Sequence, residues 1–224
     1  MSTPTHPSAP ARGAGPDPRG EWSLLLLSAA SGAADAFVFI CVGQVFAGVM
    51  TGNLVLLGAA AAGGGENGVA LRVITSLVAY GIGVVCGAWM NGRLRWPLPV
   101  MLLTEVALLT AGAVLWALDL IASDEDRLGL LVLIAVAMGI QGRIRATPTN
   151  YFTGTLTALV GRAALRSWEK GDHWVAGRLI AVVAGAAGTA LTVRLWPNAA
   201  AAVAVLPAAG TLLIEILRRR PSRG

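Results

Sequence analysis

Four stretches of this chain, 69–89, 100–118, 175–195 and 199–217, are apolar for about twenty residues each and carry at most two charges apiece. Twenty such residues coiled as a helix cover roughly the 30 Å of a bilayer's hydrocarbon. In that medium an unpaired backbone group costs several kcal/mol, and a helix pairs its groups within itself. The composition agrees: 55% of the residues are hydrophobic and 13% charged, where a water-soluble domain carries about 25%. The 28 glycines suit helices that approach closely in lipid. The expected fold is an all-α polytopic membrane protein.

Two further apolar stretches are broken. "VFAGVMTGNLVLLG" holds Thr51, Gly52 and Asn53, and "NYFTGTLTALVG" holds Thr153, Gly154 and Thr155 about a hundred residues later. Gly loosens a helix, and Asn brings donors and acceptors that hydrocarbon cannot satisfy. The apolar pieces that follow, 53–62 and 154–161, are too short to cross alone. A Thr-Gly-Asn element can end one helix and cap the next. Half-helices are therefore expected to begin near Asn53 and Thr155, with N-termini of partial positive charge inside the membrane. The alternative is that both elements are tight helix contacts with no ligand.

Other features recur at a similar spacing: "RLRWP" at 93–97 answers "VRLWP" at 193–197. The chain divides into two membrane repeats, 22–118 and 119–217. A tail at 1–21, rich in Pro, Gly, Ser and Ala, is expected to be disordered, and 218–224 is a basic tail. Arg12, Arg19, Arg93, Arg95, Arg162, Arg166, Lys170 and the C-terminal arginines fall in alternate connections. Positive charge favours the cytoplasmic face, so both termini are expected there and the connections at 63–67 and 119–127 outside. With one net crossing per broken segment, each half crosses three times. The second half is then inverted against the first, a 3+3 inverted repeat with two discontinuous or re-entrant helices.

Polar groups inside the apolar zone point to a site. Asp35 lies mid-way through a first apolar stretch that runs from Trp22 to about Gly48, and Glu105 lies within 100–118. A carboxylate there costs about 2.5–3.5 kcal/mol on insertion scales, so it should face protein or water. Gln141, Arg143 and Arg145 follow the short apolar run 128–140. Two readings of Asp35 are open. It forms an ion pair with Arg143 or Arg145, or it is a proton or cation site with the arginines as an anion clamp. The candidate substrate site is Asp35, Thr51, Gly52, Asn53, Gln141, Arg143, Arg145, Thr153, Gly154 and Thr155, with Asp35 and Glu105 as candidates for proton or ion coupling. Arg72 and Arg178 are expected to snorkel and Arg194 and Glu215 to be interfacial. Gly83, Gly87, Gly185 and Gly188 read as helix contacts. Trp22, Trp96, Trp174 and Trp196 read as an aromatic belt.

The net charge of +5 is almost all Arg, and it lies between spans rather than on a face interleaved with aromatics. That argues against nucleic acid. Cys41 and Cys86 sit in apolar segments and read as small hydrophobes, without disulfide or zinc spacing. No cleavable signal is expected ahead of the first apolar run. His6 and His173 lie outside the spans, so no base is at hand for a Ser nucleophile. No enzyme activity, cofactor or metal is expected. The expected partners are the bilayer and a small-molecule or ion substrate.

Over 22–217, "SGAADAFVFICVGQVFAGVMTGNLVLLG" and "MGIQGRIRATPTNYFTGTLTALVG" are similar to the YoaK-like bacterial inner-membrane proteins. That family's pattern falls here on Gly32, Asp35, Ala36, Phe46, 50–53, Met138, Gly139, Gln141, Thr153 and Gly154. The chain departs from it at Gly142, where the family has Asn or Ala. The resemblance implies a multi-pass protein of the bacterial inner membrane and names no substrate, since the family's function is unknown. The expected function is a small transporter or channel-like permease with a midplane site at the two Thr-Gly breaks. The alternative is a non-transporting membrane protein that binds a lipid or a protein partner.

Overall fold

The computed structural model describes residues 18–64, 67–144 and 152–219. The 1–17 part of the tail expected to be disordered, Arg145, positions 65 and 66, and the last basic residues lie outside them. Among the described residues regular structure is helical throughout. Helix α1 (Pro18–Phe37) runs on into a π-helical turn (Val38–Gly43). Then follow α2 (Met50–Ala61), α3 (Val69–Arg93), α4 (Pro97–Ala117), α5 (Asp124–Gln141), α6 (Phe152–Ala164) and α7 (Asp172–Leu195). A 3-10 turn (Pro197–Val203) leads into α8 (Val205–Arg219). Among the described residues five segments are long and apolar enough to cross a membrane: Gly20–Gly43, Val69–Arg93, Pro97–Ala117, Asp172–Leu195 and Pro197–Arg219. The chain is thus built as a multi-pass α-helical membrane protein.

Local chemistry sets the helix ends. Pro97 opens α4 at a position where its missing N–H is no loss. Ser123 opens α5 with a reciprocal cap: its hydroxyl accepts from the Asp126 amide at 3.1 Å, and the Asp126 carboxylate accepts from the Ser123 amide at 2.9 Å. The Ser123 amide, and then the Ser123 hydroxyl donating to the same carboxylate at 2.8 Å, hold the Asp126 carboxyl below its ordinary pKa. Three acidic residues in that first turn also suit the helix dipole.

Two pairs of helices form the frame. α1 and α7 run the same way, and Leu25, Gly32 and Ala33 of α1 meet Gly177, Val182 and Thr189 of α7. α3 and α5 also run together, with Gly83 and Gly87 of α3 against Val136 and Ile140 of α5. In each pair the backbones touch. A Cβ on Gly32 would overlap the Val182 carbonyl, and one on Gly185 the Ala29 carbonyl. In the other pair a Cβ on Gly83 would overlap the Val136 carbonyl, and one on Gly139 the Tyr80 carbonyl. Gly83 and Gly185 are therefore the close contacts that their spacing suggests, whereas Gly87 lies on the stem of Arg143 and Gly188 near Val203. α4 lies against α5 and α8, and α8 returns onto α1. Small residues such as Ala30, Ala33, Ala34 and Ala208 fill the centre with Phe37, Leu131 and Met138.

The described chain begins and ends at one end of the bundle, where Trp22 meets Trp174 edge-on and Arg219 lies over Trp96. Gly43, Arg72 and Asp124 mark the opposite end. Three charged groups differ from their expected roles. Arg72 donates to the Gly43 and Asn67 carbonyls instead of only reaching for the interface. Arg178 pairs with Glu21. Glu215 is buried and holds Arg218 and Arg219. Backbone carbonyls and carboxylates within reach bind these groups more tightly than a wet interface would.

Candidate functional site

The first break is a re-entrant turn. The π turn ends at Gln44, whose φ of 58° is left-handed. Asp35 lies two turns of helix before Gly43, and its Oδ1 accepts the Gly48 N–H at 2.7 Å. The Ala47 and Val49 amides also point at this carboxylate. Residues 44–49 thus run back along α1 to the level of Asp35, and α2 then leads away again. Asp35 is 7% exposed and its polar contacts are backbone amides.

Asn53 closes the same turn from the other side. Its Oδ1 accepts the Phe46 N–H at 2.9 Å and its Nδ2 donates to the Phe46 carbonyl at 2.7 Å. Ser76 on α3 donates to that carbonyl at 2.6 Å and accepts from Asn53 Nδ2 at 3.1 Å. This corrects the expected cap. α2 begins at Met50, with Val49 as its N-cap and no side-chain cap bond, so Asn53 lies inside its first turns. The reason is physical. Without Asn53 the Phe46 N–H would be open in an apolar medium and the carbonyl left to Ser76 alone, and Asn is the side chain that matches a peptide group for group. Thr51 is exposed, and Gly52 lies under the Phe46 ring, which a Cβ would approach to 3.1 Å. Phe46 in turn stacks on Phe39, with ring centres 5.2 Å apart.

The second break is looser. Among the described residues α6 begins at Phe152, with Thr153 and Gly154 exposed and Thr155 half-buried. No residue of α6 is buried, and it rests mainly on α7. Its far end is fixed by Arg162, which grips Asp172 with Nε at 3.0 and 3.1 Å and Nη2 at 2.6 Å.

The two breaks meet on one cleft of about 550 Å³. Phe46 and Val49 come from the first break, Phe152 from the second, Asp35 from α1, Phe39 from the π-helical turn, and Val182 from α7. Asp35 apart, the lining is apolar. The other predicted residues stand elsewhere. Gln141 is buried, and its Nε2 donates to the Leu27 carbonyl at 2.8 Å, tying α5 to α1. Arg143 is exposed and lies on Gly87 of α3, so the ion pair between Asp35 and Arg143 is not formed. Arg145 lies outside the described residues. Glu105 is buried on α4, away from the cleft lining.

At the opposite end of the bundle two adjoining hollows of about 310 and 220 Å³ share Val42, Arg72, Asp124 and Arg127. Among the described residues, no group of three or more His, Cys, Asp or Glu side chains could hold a metal ion. Cys41 and Cys86 are free and half-buried. Sequence reasoning missed Ser76 and Phe152. A Ser within an apolar span was the available signal for the first, and nothing local marked the second.

Residues 23–216 match the model of a family described as protein of unknown function (DUF1275), and the chain belongs to that family. No curated protein and no solved structure matches it.

Proposed function

We propose that this member of an uncharacterised membrane family is a small carrier, with its substrate cleft between α1, α7 and the two breaks. One observation carries the reading: Phe46, Val49 and Phe152, from breaks a hundred or so residues apart in sequence, line one cleft beside Asp35. The parallel pairs α1/α7 and α3/α5, each joined by glycines, support an inverted repeat whose halves rock about those contacts. The apolar lining favours a small apolar or amphipathic substrate over an inorganic ion. Asp35 then fixes the shape of the turn at the cleft's floor. In this reading the end with Trp22, Trp96 and Arg219 is cytoplasmic, the membrane is the bacterial inner membrane, and no covalent step is assigned.

The cleft is tested by Thr51→Cys and Thr153→Cys, each made with Cys41→Ser and Cys86→Ser. Water-soluble thiol reagents should reach at least one of the two positions from each side of the membrane, and substrate should protect it. If neither position reacts in folded protein, the carrier reading falls. A second reading, a lipid-binding protein that moves nothing, is favoured by one feature. Phe39 and Ile40, on the rim of the cleft, are 41% and 49% exposed, where acyl chains would lie. Reaction with lipid-borne but not aqueous reagents would select it.

A further inference from the structure

Glu105 is the least compensated carboxyl among the described residues. It is 0% exposed, and neither carboxylate oxygen has a hydrogen-bond partner. The ion pairs among the described residues lie elsewhere, at Arg162–Asp172, Arg178–Glu21 and Glu215 with Arg218 and Arg219. A carboxylate without counter-charge or donor is not sustained in such surroundings, whereas the neutral acid is. The isolation of Glu105 therefore needs a reason other than a fixed ion pair.

The neighbourhood supplies one. On α4, Leu102 lies one turn before Glu105 and on the same face. Leu102 lines a narrow slot with Ser23 of α1 and with Thr211 and Glu215 of α8. The slot has about 10 Å³ of room for water, enough for one molecule. Its outer member, Glu215, pairs with Arg218 and Arg219 at the end of the bundle where the described chain begins and ends. An arginine-paired, buried carboxylate, two hydroxyls and a one-water space thus lie one turn of α4 from the buried acid. The other titratable or charged groups on elements packed against α4 are Arg72, Tyr80, Cys86 and Arg93 of α3, those at 124–127 in the first turn of α5, and Arg218 and Arg219 of α8, with Arg143 just beyond α5. Arg93 and Arg143 are exposed, and the 3-10 turn carries none.

We propose that Glu105 is a proton-binding site that loads and unloads through the slot formed by Ser23, Thr211 and Glu215. The ligand is the proton, passed between the Glu105 carboxyl and a slot water. That this proton drives movement of a cargo rests on the carrier reading, but the site itself does not.

The test uses the full chain in lipid vesicles without cargo. Infrared spectra should contain the C=O band of a protonated carboxyl that Glu105→Gln removes. The band should shift on transfer to heavy water. Thr211→Val keeps the side chain's shape and removes its hydroxyl. It should slow that exchange about tenfold, the rate effect of roughly one lost hydrogen bond, while the protonated-carboxyl band itself remains. Ser23→Ala should act in the same direction. If Glu105→Gln does not fold, wild-type protein is treated with dicyclohexylcarbodiimide. That reagent takes the acid's proton on nitrogen while the carboxyl oxygen adds to its central carbon. The adduct rearranges to a stable acylurea that mass spectrometry should find on Glu105. An unchanged band in Glu105→Gln, or an unlabelled Glu105, overturns the proton site. Equal exchange in wild type and both slot variants overturns the route. Neither readout depends on the cleft, so failure of the carrier test leaves this result standing, and the reverse also holds.

Discussion

The two breaks share a Thr-Gly sequence and are held in opposite ways. At the first, a carboxylate, an amide and a hydroxyl from three helical elements converge on residues 46–49 and meet their backbone groups. At the second, α6 buries no residue and rests mainly on α7, fixed at its far end by Arg162 and Asp172. The frames that carry them are alike, since α1/α7 and α3/α5 both cross backbone to backbone at glycine. A common motif therefore does not fix a common packing. A stitched break is a rigid wall, whereas a half-helix resting on one neighbour can move at little cost. If the cleft has a moving side, it is the α6 side.

The likeness of the frames is tested first, because its failure would be the largest effect. Gly139→Leu and Gly185→Leu should both abolish folded protein, as judged by size-exclusion yield in detergent. A side chain at either position must push two backbones apart. If only one is lost, the two frames are not equivalent.

The contrast of the breaks comes next. Asn53→Ala strands the Phe46 N–H, leaves the Phe46 carbonyl to Ser76 alone, and should lower the thermal midpoint clearly, at a cost of about 1–3 kcal/mol. Thr153→Ala, at an exposed position, should stay within about 0.5 kcal/mol of wild type. Equal losses would erase the distinction between a tied and a loose break.

Asp35 sharpens the same point. Asp35→Ala removes the acceptor for the Gly48 amide and should cost about 1–3 kcal/mol, while Asp35→Asn keeps an acceptor and should cost less. Equal and negligible effects would show that the amides find water, and that the turn is wetter than its contacts suggest.

The smallest effect lies outside both breaks. The Asp126 carboxyl is held below its ordinary pKa by Ser123, so the cap of α5 is complete above the usual carboxylate range. It is lost as the pH falls through the lowered value. Protection of the Asp126 amide, its exchange rate compared with the free-peptide rate at the same pH, should therefore fall in acid, and Ser123→Ala should show the low protection already at neutral pH.

The frame was legible because hydrocarbon enforces it. Twenty apolar residues, glycines at helical spacing and tryptophans near the ends each have few alternatives in a membrane, and the spans and the Gly83 and Gly185 contacts follow from them. The role of Asn53 was less legible. Asn before an apolar run is a good cap by local rules, but the nearest unpaired peptide lay seven residues behind it, at Phe46, and only the folded turn brings that peptide into reach. Asp35 was expected to need a cation because isolated intramembrane carboxylates do. Three successive amides served instead, and no sequence pattern marks a backbone as a partner. Glu105 is the reverse case. Its position was plain in the sequence, but its solitude is a property of α4 and its neighbours together.

The glycine crossings bear on how the protein is made. Gly32 and Gly83 meet their partners on α7 and α5, not within their own half. When the ribosome has released α1, the helix that closes on it lies roughly 135 residues ahead, about ten seconds or more at ordinary elongation rates. Through that interval the first half waits in the membrane with two glycine faces uncovered, open to any other helix with small residues. A chain stopped after α4 would keep those faces for good, and membrane quality control would meet it as an unfinished half.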